Sequence, residues 1–203
     1  STVIVGLEDA PPGLLWWRFQ LVWFGGFGVV TVALLVLPFL RIGGLQMFSL
    51  DLSAQAGRFL PRITAVIARI GLIYIALTLA ASVTFGALGM NTFDAIGHAM
   101  AAVATGGFSS HDANIGYFGS AKIEYASSVF MLLAAMPFVL HLQVLRGRPG
   151  VLWRDGQVRL FLSIILFSIV SVAVWLAVVR SLPVPEAIRA ATFNVISLIT
   201  CTG

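Results

Sequence analysis

The chain has 203 residues, of which 59% are hydrophobic and 10% charged, with a mean hydropathy of +1.00. A soluble domain carries roughly 25% charged residues, so this composition excludes a water-soluble globular enzyme and places the chain in a membrane. The single cysteine, Cys201, excludes an internal disulfide and a multi-thiolate metal site. The net charge of +4 reflects membrane topology rather than affinity for nucleic acid, with at most a secondary role toward anionic lipid heads.

Four stretches hold no Asp, Glu, Lys or Arg for twenty or more residues: 19–40, 70–93, 125–145 and 160–179. Each is expected to span as a helix, because a hydrocarbon core of about 30 Å takes around 20 residues. No signal-peptide pattern precedes the first, which is expected to act as its own insertion signal. Within it, Gly25, Gly26 and Gly28 lack the Lys-Ser or Lys-Thr of a phosphate loop and read as sites of close helix approach. Trp16, Trp17 and Trp23 read as belt and packing residues. Arg18, at the outer end of this span, is left with two readings: snorkelling to the interface, or pairing with an acidic loop residue.

The connection after the first span carries Arg41, Arg58, Arg62 and Arg69, and that after the third carries Arg146, Arg148, Arg154 and Arg159. Together they hold eight of the twelve basic residues, against the two carboxylates Asp51 and Asp155. The positive-inside bias puts both connections in the cytoplasm and both ends of the chain outside.

Two shorter apolar runs leave from the outer, acidic side. Asn91 or Thr92 caps the first, with Asp94 in its first turn; Pro185 and Glu186 open the second. The uncharged parts, 95–104 and 190–199, make only about 15 Å of helix. Neither crosses, so each is expected to be a re-entrant half-helix that returns as extended chain. Irregular backbone at that depth must be buried in protein or line a watery cavity. Thr105, Gly106, Gly107, Phe108 and Ser109 suit such a segment, because glycine admits backbone angles that let successive carbonyls point one way. A row of inward carbonyls at the negative end of a short helix replaces the hydration shell of a cation. A shift of 96 residues lays Ala95 on Ala191, His98 on Asn194, Thr105 on Cys201 and Gly107 on Gly203, so that span, half-helix, filter and span form a repeating unit.

The stretch "HAMAAVATGGFSSHDANIGYF" resembles the second pore segment of the TrkH family, the membrane subunits of bacterial potassium uptake systems in the TrkH, KtrB and HKT superfamily. "LPFLRIGGLQMF" and "FNVISLITCTG" resemble the end of that family's first inner helix and its third pore segment. The resemblance implies an all-α integral membrane pore built from repeated span, re-entrant pore helix and span units, with four non-identical repeats and one filter glycine in each. On that pattern residues 1–57 end the first repeat, 58–150 form the second and 151–203 begin the third. "STVIVGLEDAPP" follows the first filter. The chain then holds two filter strands of four, a fragment that does not conduct alone, and the family's gating elements lie beyond Gly203. The implied filter residues are Thr105, Gly106, Gly107 and Phe108, with Thr200, Cys201, Thr202 and Gly203. Potassium is the substrate, held by the carbonyls of Thr105, Gly106, Thr200, Cys201 and Thr202, with no bound cofactor and no enzymatic chemistry. The resemblance also implies a homodimer in the bacterial inner membrane and a cytoplasmic TrkA-type nucleotide-binding ring as partner.

Other readings compete at several residues. Ser109, Ser110, His111 and Asp112 form a hydrolase-like string, but sequence neighbours rarely converge as nucleophile, base and orienter. Asp112 is expected at the outer mouth, raising the local cation concentration or simply solvated; Glu124 is expected nearby, with Lys122 or Arg189 as partner. His98 and His141 have no second ligand at metal spacing and are expected to be hydrogen-bonded structural residues. A non-conducting assembly subunit, or a carrier preferring sodium or ammonium, are the alternatives to potassium transport.

Overall fold

The computed structural model describes residues 6–40 and 52–203, and at 34, 35, 37–40 and 52–63 the backbone alone. Arg41 and Asp51 of the first basic connection lie outside the described residues, as do the side chains of Arg58 and Arg62 and residues 1–5 of the stretch assigned to the first filter's exit. Among the described residues there are eight α-helices and no strand: α1 (Pro12–Leu40), α2 (Leu52–Ala87), α3 (Thr92–Val103), α4 (Ala121–Ala135), α5 (Phe138–Leu145), α6 (Val151–Arg154), α7 (Gly156–Val179) and α8 (Val184–Ile199).

The spanning and short helices fall close to where the apolar runs place them. α1 has 29 residues, about 44 Å at the α-helical rise. Thr64–Ala87 of α2 and Gly156–Val179 of α7 are each long and apolar enough to cross a membrane. α2 runs unbroken from Leu52, so the 57/58 division between the first two repeats falls inside a helix, and Arg58, Arg62 and Arg69 stand on α2 rather than in a loop. Asp155 caps α7 by accepting from Gln157 N at 2.9 Å and Val158 N at 3.1 Å.

The third expected span is broken. Its residues form α4 and α5, which meet at 96° across Met136 and Pro137. Proline supplies no N–H to continue the helix and drives the preceding residue out of the α region; Met136 accordingly has extended angles, φ −75° and ψ 146°. α4 alone, at 15 residues, is about 22 Å long, and α5 turns back onto α2, where Phe138 packs 6.1 Å from the Tyr74 ring.

The core is built around α3. Nine of its twelve residues are buried. Phe85 and Ala81 of α2, Ala95, Ala99 and Val103 of α3 and Ile123 of α4 form one cluster; burial of a side chain such as Phe85 stabilises by about 1.5–3 kcal/mol. Phe19 of α1 packs with Met100 and Ala101, and Ala102, Met131, Ile165 and Ile196 join α3, α4, α7 and α8. Gly26 is the glycine of the α1 set that permits close approach: a Cβ there would meet Ala104 Cβ at 3.1 Å, whereas Gly25 and Gly28 face open space. Trp23 is a packing residue, its Nε1 donating to Thr78 Oγ1 at 3.1 Å while its carbonyl accepts from Tyr74 Oη at 2.9 Å. α7 buries only Val158 and Ile165 along its length, as expected of a helix whose outer surface meets lipid.

Candidate functional site

α3 starts on the Asn91 cap, whose Oδ1 accepts from Asp94 N at 2.8 Å. It ends in a tight left-handed turn. Thr105 N donates to Ala102 O at 3.2 Å and Gly106 N to Ala101 O at 2.9 Å, while Thr105 takes φ +51°. This is the Schellman pattern, which satisfies carbonyls the helix end would leave open. α8 ends in the same way 96 residues later. Cys201 N donates to Leu198 O at 3.0 Å, Thr202 N to Ser197 O at 2.9 Å, and Cys201 takes φ +58°. The glycines two residues further on repeat the match, with φ +63° at Gly107 and +73° at Gly203. The left-handed position of this motif usually belongs to glycine. Here it is held by Thr105 and Cys201, a local strain of order 1 kcal/mol or more for each.

The two segments after these turns touch. A Cβ built on Gly107 would land on the carbonyl oxygen of Thr202, so only glycine fits there, by both space and angle. A Cβ on Gly106 would meet the side chain of Val22 on α1. Gly107, Phe108, Thr202 and Gly203 line a cavity of about 690 Å³ between α3, α4 and α8. Thr105, Gly106, Thr200 and Cys201 belong to the same two segments but stand outside that lining. The Thr200 and Thr202 hydroxyls bond each other at 2.8 Å, and the Gly107 carbonyl accepts from Asn114 Nδ2 at 3.3 Å.

Glu124, 9% exposed, lines the same cavity and pairs with Arg189 Nε at 3.0 Å, so Arg189 rather than Lys122 is its partner. Arg18 stacks over the Phe108 ring at 4.9 Å, a cation–π contact that neither sequence reading of Arg18 anticipates. Asp112 is exposed, and both its oxygens are engaged, accepting from Gly6 N at 2.8 Å and Leu7 N at 3.0 Å. These bonds, Leu7 first, hold its carboxyl below the usual aspartate range. Asp112 thus ties the segment before α1 to the loop after α3, a role its sequence neighbourhood gives no sign of.

Ser109 and Ser110 are buried behind the loop. Ser109 does meet an imidazole, but that of His98, at 3.0 Å, rather than the adjacent His111. The other nitrogen of His98 faces the backbone carbonyl of Asp94 at 2.8 Å and no carboxylate. With Ser109 only 4% exposed, the pair braces a loop and presents no accessible nucleophile. Among the described residues no group of three His, Cys, Asp or Glu side chains is placed to hold a metal ion.

The family model described as TrkH, cation transport protein, matches residues 1–203. The chain belongs to the TrkH family. It is 38% identical to the Trk system potassium uptake protein TrkI of Halomonas elongata and 37% identical to TrkH of Escherichia coli K12, in both cases over all of this chain and over 41% and 43% of those proteins. The crystal structure of the potassium transporter TrkH from Vibrio parahaemolyticus superposes with a TM-score of 0.85 at 35% identity, covering 98% of this chain and 40% of that one. The chain therefore spans about two fifths of the length of these relatives, and the all-α membrane architecture agrees with theirs.

Proposed function

We propose that this chain contributes two of the filter strands of a transporter that takes up potassium, with ion-facing carbonyls from Thr105, Gly106, Thr200, Cys201 and Thr202. The observation that carries this reading is the pairing of two helix exits closed by the same pair of bonds, 96 residues apart, whose glycine segments meet where the Thr202 carbonyl lies against Gly107. Two short helices aim their negative ends at that meeting point, and left-handed backbone there exposes main-chain oxygens to an ion as no regular helix does. Binding so constructed is selective by field and spacing, and needs neither side-chain ligands nor covalent chemistry.

Similarity to the named potassium uptake proteins and the potassium transporter supports potassium over sodium or ammonium as cargo. The same reading sets the complete protein in the bacterial inner membrane, with both ends of this segment outside. It makes residues 1–57, 58–150 and 151–203 parts of the first, second and third repeats, and gives a homodimer that meets a TrkA-type ring at its arginine-rich cytoplasmic face. Glu124 and Asp112 frame the outer mouth as supports, the first between repeats two and three, the second toward the exit of repeat one.

The test is Gly107→Ala in the full-length transporter, reconstituted in liposomes, with potassium and sodium fluxes measured in turn. Loss of the potassium preference is expected. A folded variant that keeps the parent's preference would overturn the carbonyl-filter reading.

A further inference from the structure

We propose that Asp94 is a positioning residue for the second filter strand, anchoring from behind the loop that leaves Gly107; this rests on the carbonyl-filter reading above. Asp94 stands in the first turn of α3 and is 3% exposed. Its carboxylate accepts from Ser110 Oγ at 2.5 Å, from Asn91 Nδ2 at 2.7 Å and from His111 Nε2 at 3.1 Å. Its backbone carbonyl faces His98 Nδ1 at 2.8 Å. A carbonyl only accepts, so Nδ1 carries the ring proton, and the Nε2 of neutral His98 accepts from Ser109 Oγ at 3.0 Å. The Ser109 oxygen in turn accepts from His111 N at 3.0 Å. Three consecutive residues past the filter glycine are thereby fixed to one face of the half-helix.

Charge-assisted hydrogen bonds in a site closed to water are stronger than neutral ones, and a missing partner leaves a buried polar group exposed to that penalty. The brace also reaches sideways: the His111 ring stacks on Tyr117 at 3.6 Å, and its Nδ1 lies 3.7 Å from Glu8 Oε1. The half-helix of repeat three carries no carboxylate at the matching position. Asp94 corresponds to Ala190 and His98 to Asn194, whose amide is exposed and donates back to the Ala190 carbonyl at 2.8 Å. The two strands that meet at Gly107 and Thr202 therefore differ in what stands behind them, and the carboxylate sets the geometry of one.

The test measures the potassium-over-sodium preference of the full-length transporter in liposomes for Asp94→Asn, Ser110→Ala and Ser110→Thr, with folded protein quantified by size exclusion and Gly107→Ala as control. Ser110→Ala is expected to lower the preference by about tenfold, the effect of losing one charge-assisted hydrogen bond, and Asp94→Asn, which takes the charge from all three bonds, by at least as much. Ser110→Thr keeps the hydroxyl and is expected to stay closer to the parent's preference than Ser110→Ala. A general loss of stability would lower the amount of protein and leave the preference alone. Should Asp94→Asn not reach the membrane, Ser110→Ala decides, since it removes a single hydroxyl. Parent preference in folded Ser110→Ala, together with its loss in Gly107→Ala, overturns the brace and spares the filter. Parent preference in Gly107→Ala overturns both.

Discussion

Nine of the twelve residues of α3 are buried, against five of the sixteen of α8, yet the two helices end in turns closed by the same pair of backbone bonds. The difference separates two kinds of determinant. The exit turn is local: it is set by the backbone bonds that close a helix end and by a left-handed residue, and it needs no particular cover. The cover is tertiary. α3 takes the Phe19 ring of α1 at Gly97, where a Cβ would strike it, while α8 carries its own ring, Phe193, at the corresponding position. α3 is thus held by α1, α2 and α4, and α8 chiefly by α4 and α7.

The largest effect is expected from substitutions that force the two glycine segments apart. Gly107→Ala sets a methyl group against a backbone carbonyl that cannot move aside, at a φ that disfavours any side chain. It should cost about 2 kcal/mol or more and abolish selective flux. Gly106→Ala meets the stiff, β-branched side chain of Val22, whose nearest methyl the new Cβ would strike, and is expected to lower thermal stability by about 1–3 kcal/mol with a smaller loss of ion preference than Gly107→Ala. Equal damage from both would erase the distinction drawn between the two glycines.

Next in size is Gly97→Ala, expected to destabilise by about 1–3 kcal/mol through overpacking against the fully buried Phe19. Thermal unfolding in detergent, compared with Phe193→Ala on the more open α8, shows whether cover differs as the burial pattern says. A larger loss in Phe193→Ala would reverse the comparison.

How much of this was legible in the sequence follows the same division. The absence of charge over long runs located α1, α2 and α7, and the Asn91 cap, the short uncharged runs and the glycines located both half-helices with their exits near Val103 and Ile199. These are local signals. The break at Pro137 is also written there: the uncharged run predicts one span, and the proline inside it divides that run into α4 and α5. Nothing local marks the Asp94 carboxylate as the acceptor for Ser110 and His111, sixteen and seventeen residues away, or Asp112 as the partner of Gly6 and Leu7, more than a hundred residues away. Those bonds exist only once α1, α3 and the loop have packed.

The Glu124–Arg189 pair joins the well-covered repeat to the open one. A double-mutant cycle with Glu124→Gln and Arg189→Met, read by thermal unfolding, should give a coupling of about 0.5–1 kcal/mol, kept small because the Arg189 side chain is 40% exposed. Zero coupling would remove this link between α4 and α8. The smallest effect is at Asp112. Its carboxyl is held low by the Leu7 and Gly6 N–H groups, so the tether is fully present above the ordinary aspartate range and is lost as pH falls through the lowered value. Hydrogen exchange at neutral pH should show Gly6 and Leu7 less protected in Asp112→Asn with α8 unchanged; unaltered protection would contradict the tether.

The most direct measurement is anomalous scattering from thallium or rubidium soaked into crystals of the full-length transporter in place of potassium. The account predicts a peak on the pore axis ringed by the carbonyls of Thr105, Gly106, Thr200, Cys201 and Thr202. An ordered filter with no ion density beside those oxygens, or an ion held by side chains elsewhere, would contradict it.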